Sequence, residues 1–286
     1  MKPAFIYERA GYLNYNGLLI ARQLRIPHFY EINGILANDH KKYFPAVWTE
    51  AALYLDRKAY KTTTLGFYVG GINAHLNIYG EKAVTIQNGI YKKFADQFAD
   101  RRNTIENSVH LLFVGYAMDH HRLEILSKAL HLVNEPGKFH LHLIGSGREF
   151  LKEDLPCSMS VSFHGLLDHE RISAVIKEVN VGIIPFALDY YSNVKTFLYG
   201  AAKLLVVLPA AKNYKDIFSN DEVVFIRNGD EIDLAAKLND IADYPEKFAL
   251  YGQKIYDKII NNFTWEKIYS GIESDIQSHI IRSTWR

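Results

Sequence analysis

Residues 180–209, NVGIIPFALDYYSNVKTFLYGAAKLLVVLP, constrain the fold more than any other stretch of the chain. Val181 to Ile184 and Leu204 to Leu208 are continuous apolar runs of strand length, without the alternation that marks a strand wet on one face. Strands apolar on both sides are covered by helices on both sides, the condition of a parallel α/β sheet. Between them Pro185 to Asn193 is turn-like, and a helix entered at Val194 and Lys195 supplies the crossover that parallel strands need. Ligands of such sheets collect beyond the carboxyl ends of the strands. Ser192, Asn193, Val194 and Lys195 fall there, where a helix start offers N–H groups and partial positive charge and the lysine adds a full charge. The four residues fit an anion-binding end, phosphate being the natural occupant, and fit equally an ordinary capped helix with a solvated lysine.

The rest of the chain alternates in the same way. In the first part, Ala4 to Tyr7, His28 to Ile32 and Val84 to Ile86 read as strands and Thr62 to Leu65 as a short β-branched run. Leu13 to Leu24, Val47 to Ala59 and Phe67 to Tyr79 read as helices. That is about four strands, fewer than the roughly six of a full doubly wound domain. A polar, charged stretch at 90–107 marks a junction. Beyond it, strands at 109–114, 139–144, 161–163, 181–184, 204–208 and 223–226 alternate with helices at 122–133 and 168–178, the one entered at Val194 and Lys195, and one at 232–241, and helical patterns at 245–260 and 265–280 end the chain. The expected fold is α/β, with two Rossmann-like doubly wound domains of which the N-terminal one is incomplete. They span 1–100 and 101–262, and a terminal helical segment occupies 263–286.

At 286 residues and 48% apolar content the chain has enough material to bury two cores. Its single cysteine, Cys157, excludes an internal disulfide and suits a reducing compartment. The start, MKPAFIYERAG, lacks the apolar core of a signal peptide, and no stretch approaches the roughly 20 apolar residues of a membrane span. A soluble, cytoplasmic protein is expected. Charge is divided unevenly: residues 1–102 hold 14 Lys and Arg against 8 Asp and Glu, the remainder 19 against 24. The basic first part suits peripheral contact with an anionic membrane surface, or a phosphorylated acceptor, or is ordinary surface charge. No compact basic cluster stands out, which argues against nucleic acid.

The succession LLFVG at 111–115, LHLIGSG at 141–147, VSFHGLLDHERISAVIKEVNVGIIPF at 161–186 and SNVKTFLYGAAKLLVVL at 192–208 resembles the nucleotide-sugar-binding half of retaining GT-B glycosyltransferases of the family 4 type. Residues 5–33 and 84–94 resemble the middle and end of that family's acceptor half, and FTWEKIY at 263–269 its terminal helix, which in such enzymes crosses back to the first domain. The resemblance implies donor contacts at Gly115, Arg122, Gly145, Ser146, Gly147, Ser192, Asn193, Val194, Lys195 and Tyr199. Glycines at 115, 145 and 147 permit close backbone approach to a ligand. The leaving diphosphate gathers charge in the transition state, so fixed donors and cations hasten its departure without a metal.

Glu31 and Asn33 follow a strand whose end faces the cleft in this family, and are the catalytic candidates; Glu31 serves equally as a structural acceptor. Glu8 and Arg9 read as an ion pair at a strand end. His140 and His142 share a strand face with His120 and His121 nearby, but no carboxylate or cysteine stands at metal spacing, so neither metal nor cofactor is expected.

The sequence departs from the family where two glutamates are common, at Tyr190 and Leu198, and where a basic pair is common, at Tyr116 and His121. Three readings follow. The chain transfers a sugar from a nucleoside diphosphate donor to a glycan or lipid-linked acceptor, in cell-surface polysaccharide assembly. Alternatively it is a non-catalytic relative that binds a nucleotide sugar or supports a partner subunit, or an epimerase-like enzyme on a similar scaffold.

Overall fold

Two parallel sheets organise the described residues, 3–35, 43–116, 121–147, 151 and 154–284 of the computed structural model. The chain divides into two compact units, one from Met1–Asn88, Tyr190–Ser192 and Glu266–Arg286, the other from Gly89–Asp189 and Asn193–Trp265.

In the first unit β1 (Ile6–Arg9), β2 (His28–Ile32), β3 (Leu65–Val69) and β4 (Ala83–Ile86) pair in sequence order. Helices α1 (Asn16–Leu24), α2 (Ala46–Thr62) and α3 (Ile72–His75) connect them. A sheet wound in one direction by crossovers of one hand carries all its connecting helices on one face. There Tyr30, Ile32 and Tyr68 pack with Leu18, Ala59, Tyr60 and Ile72. Alternate residues of the same strands, Phe29, Leu65 and Phe67, point the other way and meet Ile272 and Ile276 of the terminal helix, Trp265–Thr284. The sequence pattern predicts a helix from Phe67; the structure has strand over Leu65–Val69, with every residue buried. A strand covered on both faces loses its alternation, and five apolar residues then read as readily as helix.

The second unit holds β5 (Val109–Val114), β6 (Phe139–Ile144), β7 (Ser160–Gly165), β8 (Val181–Ile183), β9 (Leu205–Pro209) and β10 (Val224–Ile226) in the order β10-β9-β8-β5-β6-β7. Its helices are α4 (Lys92–Asp96), α5 (Leu123–Leu132), α6 (His169–Lys177), α7 (Val194–Ala201), α8 (Lys212–Lys215), α9 (Glu231–Asp243) and α10 (Tyr251–Asn262). One face packs Leu111, Leu141 and Val207 against Leu126 of α5 and Leu238 of α9. The other packs Leu112, Ile144 and Val206 against Ile176 of α6, Phe197 of α7 and Ile255 of α10. Continuous apolar strands between two helical layers are what the sequence pattern predicts, and β9 is buried throughout.

Strand order decides where a ligand can lie. From β5 the chain adds β6 and β7 on one side, then returns to add β8, β9 and β10 on the other. In sheets of this kind ligands bind where the strand order reverses, here beyond the carboxyl ends of β5 and β8, which pair through Leu111–Val181 and Leu112–Gly182. The described sheet of the first unit, wound in one direction, has no such point.

Candidate functional site

At that reversal β5 ends in Phe113 and Val114, with Gly115 the next residue, and the loop after β8 leads to α7. Asn193 caps α7: its Oδ1 accepts from the Lys195 N–H at 3.2 Å and its carbonyl from the Thr196 N–H at 3.0 Å. Two N–H groups of the first turn are thus held by the cap, as in the ordinary capped helix that the sequence equally allows. The lysine is not the solvated one of that alternative. Its Nζ lies 4.9 Å from the centre of the Phe113 ring and 2.8 Å from His121 Nε2.

The tautomer of His121 follows from two of its partners, Lys195 and the Tyr116 carbonyl. An ammonium only donates and a carbonyl only accepts, so Nε2 accepts from Lys195 and Nδ1–H donates to the Tyr116 carbonyl at 2.6 Å. A neutral ring, fixed by the backbone on one side, holds the cation on the other. Gly115 makes room for this arrangement. Its φ is +133°, and a Cβ there would stand 2.9 Å from Lys195 Cε. The missing side chain therefore admits the lysine stem, where the sequence suggests approach by a ligand.

Gly145, Ser146 and Gly147 follow β6 beside this point; Gly115 N–H donates to the Ile144 carbonyl at 2.9 Å, and Gly145 N–H to the Gly165 carbonyl at 2.6 Å. Both glycines have positive φ, +117° and +76°, so the turn depends on them. Arg122, also at positive φ, pairs with Glu124 and lies 5.5 Å from the Phe186 ring in the loop after β8. That loop is clamped by Asn228, which donates to the Ala187 carbonyl and accepts from its N–H. Val194 is exposed in the first turn of α7.

Two expected donor contacts have other work. Tyr199 is fully buried: its ring lies against Gly182 and its Oη accepts from the Val114 N–H at 2.9 Å, so it supports β5 and β8 and does not line the site. Ser192 falls in the first unit, where its Oγ accepts from Asn88 N–H at 3.0 Å and its carbonyl from the Asn88 side-chain amide at 2.6 Å.

Also in the first unit, Glu31 and Asn33 come together. Glu31 accepts from the Asn33 amide and from the Tyr7 hydroxyl, each at 2.6 Å, and Arg9 lies 3.6 Å away. Burial, then that hydrogen bond, holds the Tyr7 phenol above its usual range. The expected Glu8–Arg9 pair is not formed. Neighbours in a strand point to opposite faces, and Glu8 instead accepts from the Gly17 and Leu18 N–H groups at the start of α1 and meets His28 Nε2 at 2.9 Å. Tyr7 and Arg9 carry no sequence signal as partners of Glu31. Only the parallel register, Arg9 beside Glu31, joins them.

A cavity of about 740 Å³ lies in the first unit, with Asp56, Arg57, Lys61, Tyr79 and Lys82 in its wall. Its lining comes mostly from α2 and residues 75–82, not from loops at the carboxyl ends of strands, where the crevice argument places a ligand. No helix among the described residues is long and apolar enough to cross a membrane.

A family model described as glycosyl transferase-like matches residues 122–274, more than half of the chain. No curated protein matches by sequence. Among solved structures, sucrose-phosphate synthase from Thermosynechococcus elongatus is 16% identical with a TM-score of 0.74, covering 96% of this chain and 73% of its own. HepE from Anabaena, solved with UDP and glucose, is 16% identical with a TM-score of 0.71 over 96% of this chain and 78% of its own. The lipopolysaccharide outer core galactosyltransferase WaaB is 15% identical, with a TM-score of 0.70 over 97% and 76%. The fold is that of GT-B proteins, with parallel Rossmann-like sheets.

Proposed function

The chain belongs to the glycosyl transferase-like family, and on that premise we propose that it moves a sugar from a nucleoside diphosphate donor to a glycan or lipid-linked acceptor in cell-surface polysaccharide assembly. One observation carries this reading. Lys195 is pinned by His121 and Phe113 at the strand-order reversal, beside the start of α7. A cation held in place before the ligand arrives stabilises charge that develops on a leaving diphosphate, with no reorganisation during the reaction. Arg122, in the connection after β5, adds a second cation, and the turn after β6 adds the backbone N–H groups of Ser146 and Gly147. The donor's charge is met by protein groups, so no metal is assigned to it. The family 4 resemblance favours retention at the anomeric carbon. Glu31, with Tyr7 and Asn33 on its oxygens, orients a sugar hydroxyl. This reading sets the chain in the cytoplasm, with its basic first part toward the inner face of the membrane.

A second reading, a non-catalytic nucleotide-sugar-binding subunit, rests on the two positions where the family commonly has glutamates. Leu198 packs against the apolar core, and the Tyr190 ring lies tilted at 37° against His75 with ring centres 4.4 Å apart. Neither supplies a carboxylate to a donor ribose.

Melting curves with UDP- and GDP-sugars, UDP first because HepE was solved with it, and product analysis with each separate these readings. The expected result is a shift with one nucleotide class and slow donor hydrolysis, both lost in Lys195→Ala. A shift without turnover under any acceptor favours the binding subunit. No shift with any nucleotide overturns both.

A further inference from the structure

We propose that the second unit carries a transition-metal site on β5 and β6, in which His110, His140 and His142 bind one divalent ion of the zinc, cobalt, nickel and copper class. The sequence pairs only His140 with His142, and places His120 and His121 near them; His120 lies outside the described residues, and His121 is engaged with Lys195. The sheet supplies His110 instead. Its register sets His110 beside His140, and His142 follows two residues on, on the same face. One ring nitrogen from each of the three lies within 4.8 Å of the others.

For one pair the spacing is already close to what an ion needs, and the third ring, within 4.8 Å, has to draw in on binding. Two imidazoles on one tetrahedral ion, each at about 2.0–2.1 Å, have nitrogens roughly 3.4 Å apart. His110 Nδ1 and His142 Nε2 are 3.1 Å apart. The outward nitrogens already have partners: His110 Nε2 with Ser108 Oγ at 3.0 Å, His140 Nε2 with Ser162 Oγ at 2.8 Å, and His142 Nδ1 with His164 Nε2 at 3.2 Å. Each of those partners can accept, so each histidine can carry its proton outward and turn a lone pair to the cluster. Outer hydrogen bonds of this kind fix tautomer and ring orientation in histidine metal sites. An all-imidazole set suits zinc, cobalt, nickel or copper and not magnesium or calcium. His142 is buried while His110 and His140 are half-exposed, which leaves an approach for the ion and a fourth position for water.

The ion would not touch a donor at Lys195. From His110 to Gly115 the strand runs about 17 Å at about 3.3 Å per residue, so the inference stands independently of the proposed activity. Its effect is to tie β5 to β6, and through His164 to orient β7.

Untagged full-length protein, stripped with a chelator and dialysed, is titrated with Co²⁺ while visible absorption is recorded, and its melting is followed with Zn²⁺ and with Mg²⁺. Expected are a tetrahedral Co²⁺ spectrum that saturates at one equivalent, its displacement by Zn²⁺, and a melting temperature raised by Zn²⁺ but not Mg²⁺. In the double variant His110→Gln/His140→Gln the spectrum disappears. His140→Gln alone, the milder change should the pair not fold, weakens Co²⁺ by more than the roughly 10–100-fold that loss of an outer partner costs. No spectrum at one equivalent overturns the proposal, and so does a spectrum or Zn²⁺ shift that His140→Gln leaves unchanged.

Discussion

A lysine beside a helix start is common; what distinguishes Lys195 is that three residues from elsewhere fix its place. Gly115 is the most sensitive of them, since its backbone at φ +133° disfavours a side chain and its missing Cβ admits the lysine stem. Gly115→Ala puts an atom 2.9 Å from Lys195 Cε, so the lysine is displaced. Nucleotide affinity is expected to fall tenfold or more, about 1.4 kcal/mol, as read by calorimetry or by the shrunken melting shift. Unchanged affinity would mean that the lysine's position is irrelevant to binding. The histidine cluster gives a pH prediction of its own. Burial, then its neighbours His140, His110 and His164, pushes His142 down to about 3, and burial lowers His140 and His164 as well. An unfolded chain binds these protons near the ordinary value of 6.5, so between 6.5 and the folded values it holds more protons than the native state. Stability is therefore present above pH 6.5 and lost as pH falls below it. With a chelator present, urea midpoints at pH 7 and pH 5 should differ more for the native sequence than for His142→Leu.

At the scale of elements, β8, α7 and β9 act as one part. Tyr199 of α7 lies over Gly182 of β8, where a Cβ would come within 2.4 Å of its ring, and its hydroxyl accepts the Val114 N–H of β5. Tyr199→Phe leaves that N–H without its partner and should cost about 1–3 kcal/mol of unfolding free energy. Gly182→Ala should cost at least the ~1–3 kcal/mol of an overpacked core, with the loss visible in urea titration. A neutral result for either would mean that the helix seats on the sheet by general apolar contact alone. This unit was legible because two unalternating apolar runs leave few alternatives, and the bounds of β2, β5 and β6 fall where the apolar runs predict them. Less legible was which polar atoms the fold consumes. Nothing local separates Tyr199, sealed under β5, from a tyrosine lining a crevice, nor tells that Ser192 holds Asn88. His121 is in the sequence as a residue where the family has a cation, but its role depends on a neutral tautomer set by a backbone carbonyl. Partners brought together by strand register, such as Arg9 and Glu31 or His110 and His140, are invisible until the strands are paired.

At the scale of the molecule, the two sheets bury their second faces by different means. The second unit reverses its strand order and so sends helices to both sides. The first winds in one direction, which sends α1, α2 and α3 to one side and leaves Phe29, Leu65 and Phe67 on the other face, without cover from these three helices. The terminal helix answers that need from the far end of the sequence, through Ile272 and Ile276, both buried. Truncating one buried isoleucine to alanine costs about 2–5 kcal/mol, a large share of the stability of a small unit. In Ile272→Ala/Ile276→Ala, hydrogen exchange should therefore quicken at β2 and β3 while β5, β6 and β9 keep their protection, and the melting shift with nucleotide should persist. Because the terminal helix is the first sheet's second layer, the loss should be confined to the unit it covers. Equal loss in both units, or none in either, would show that the helix is not what seals this sheet.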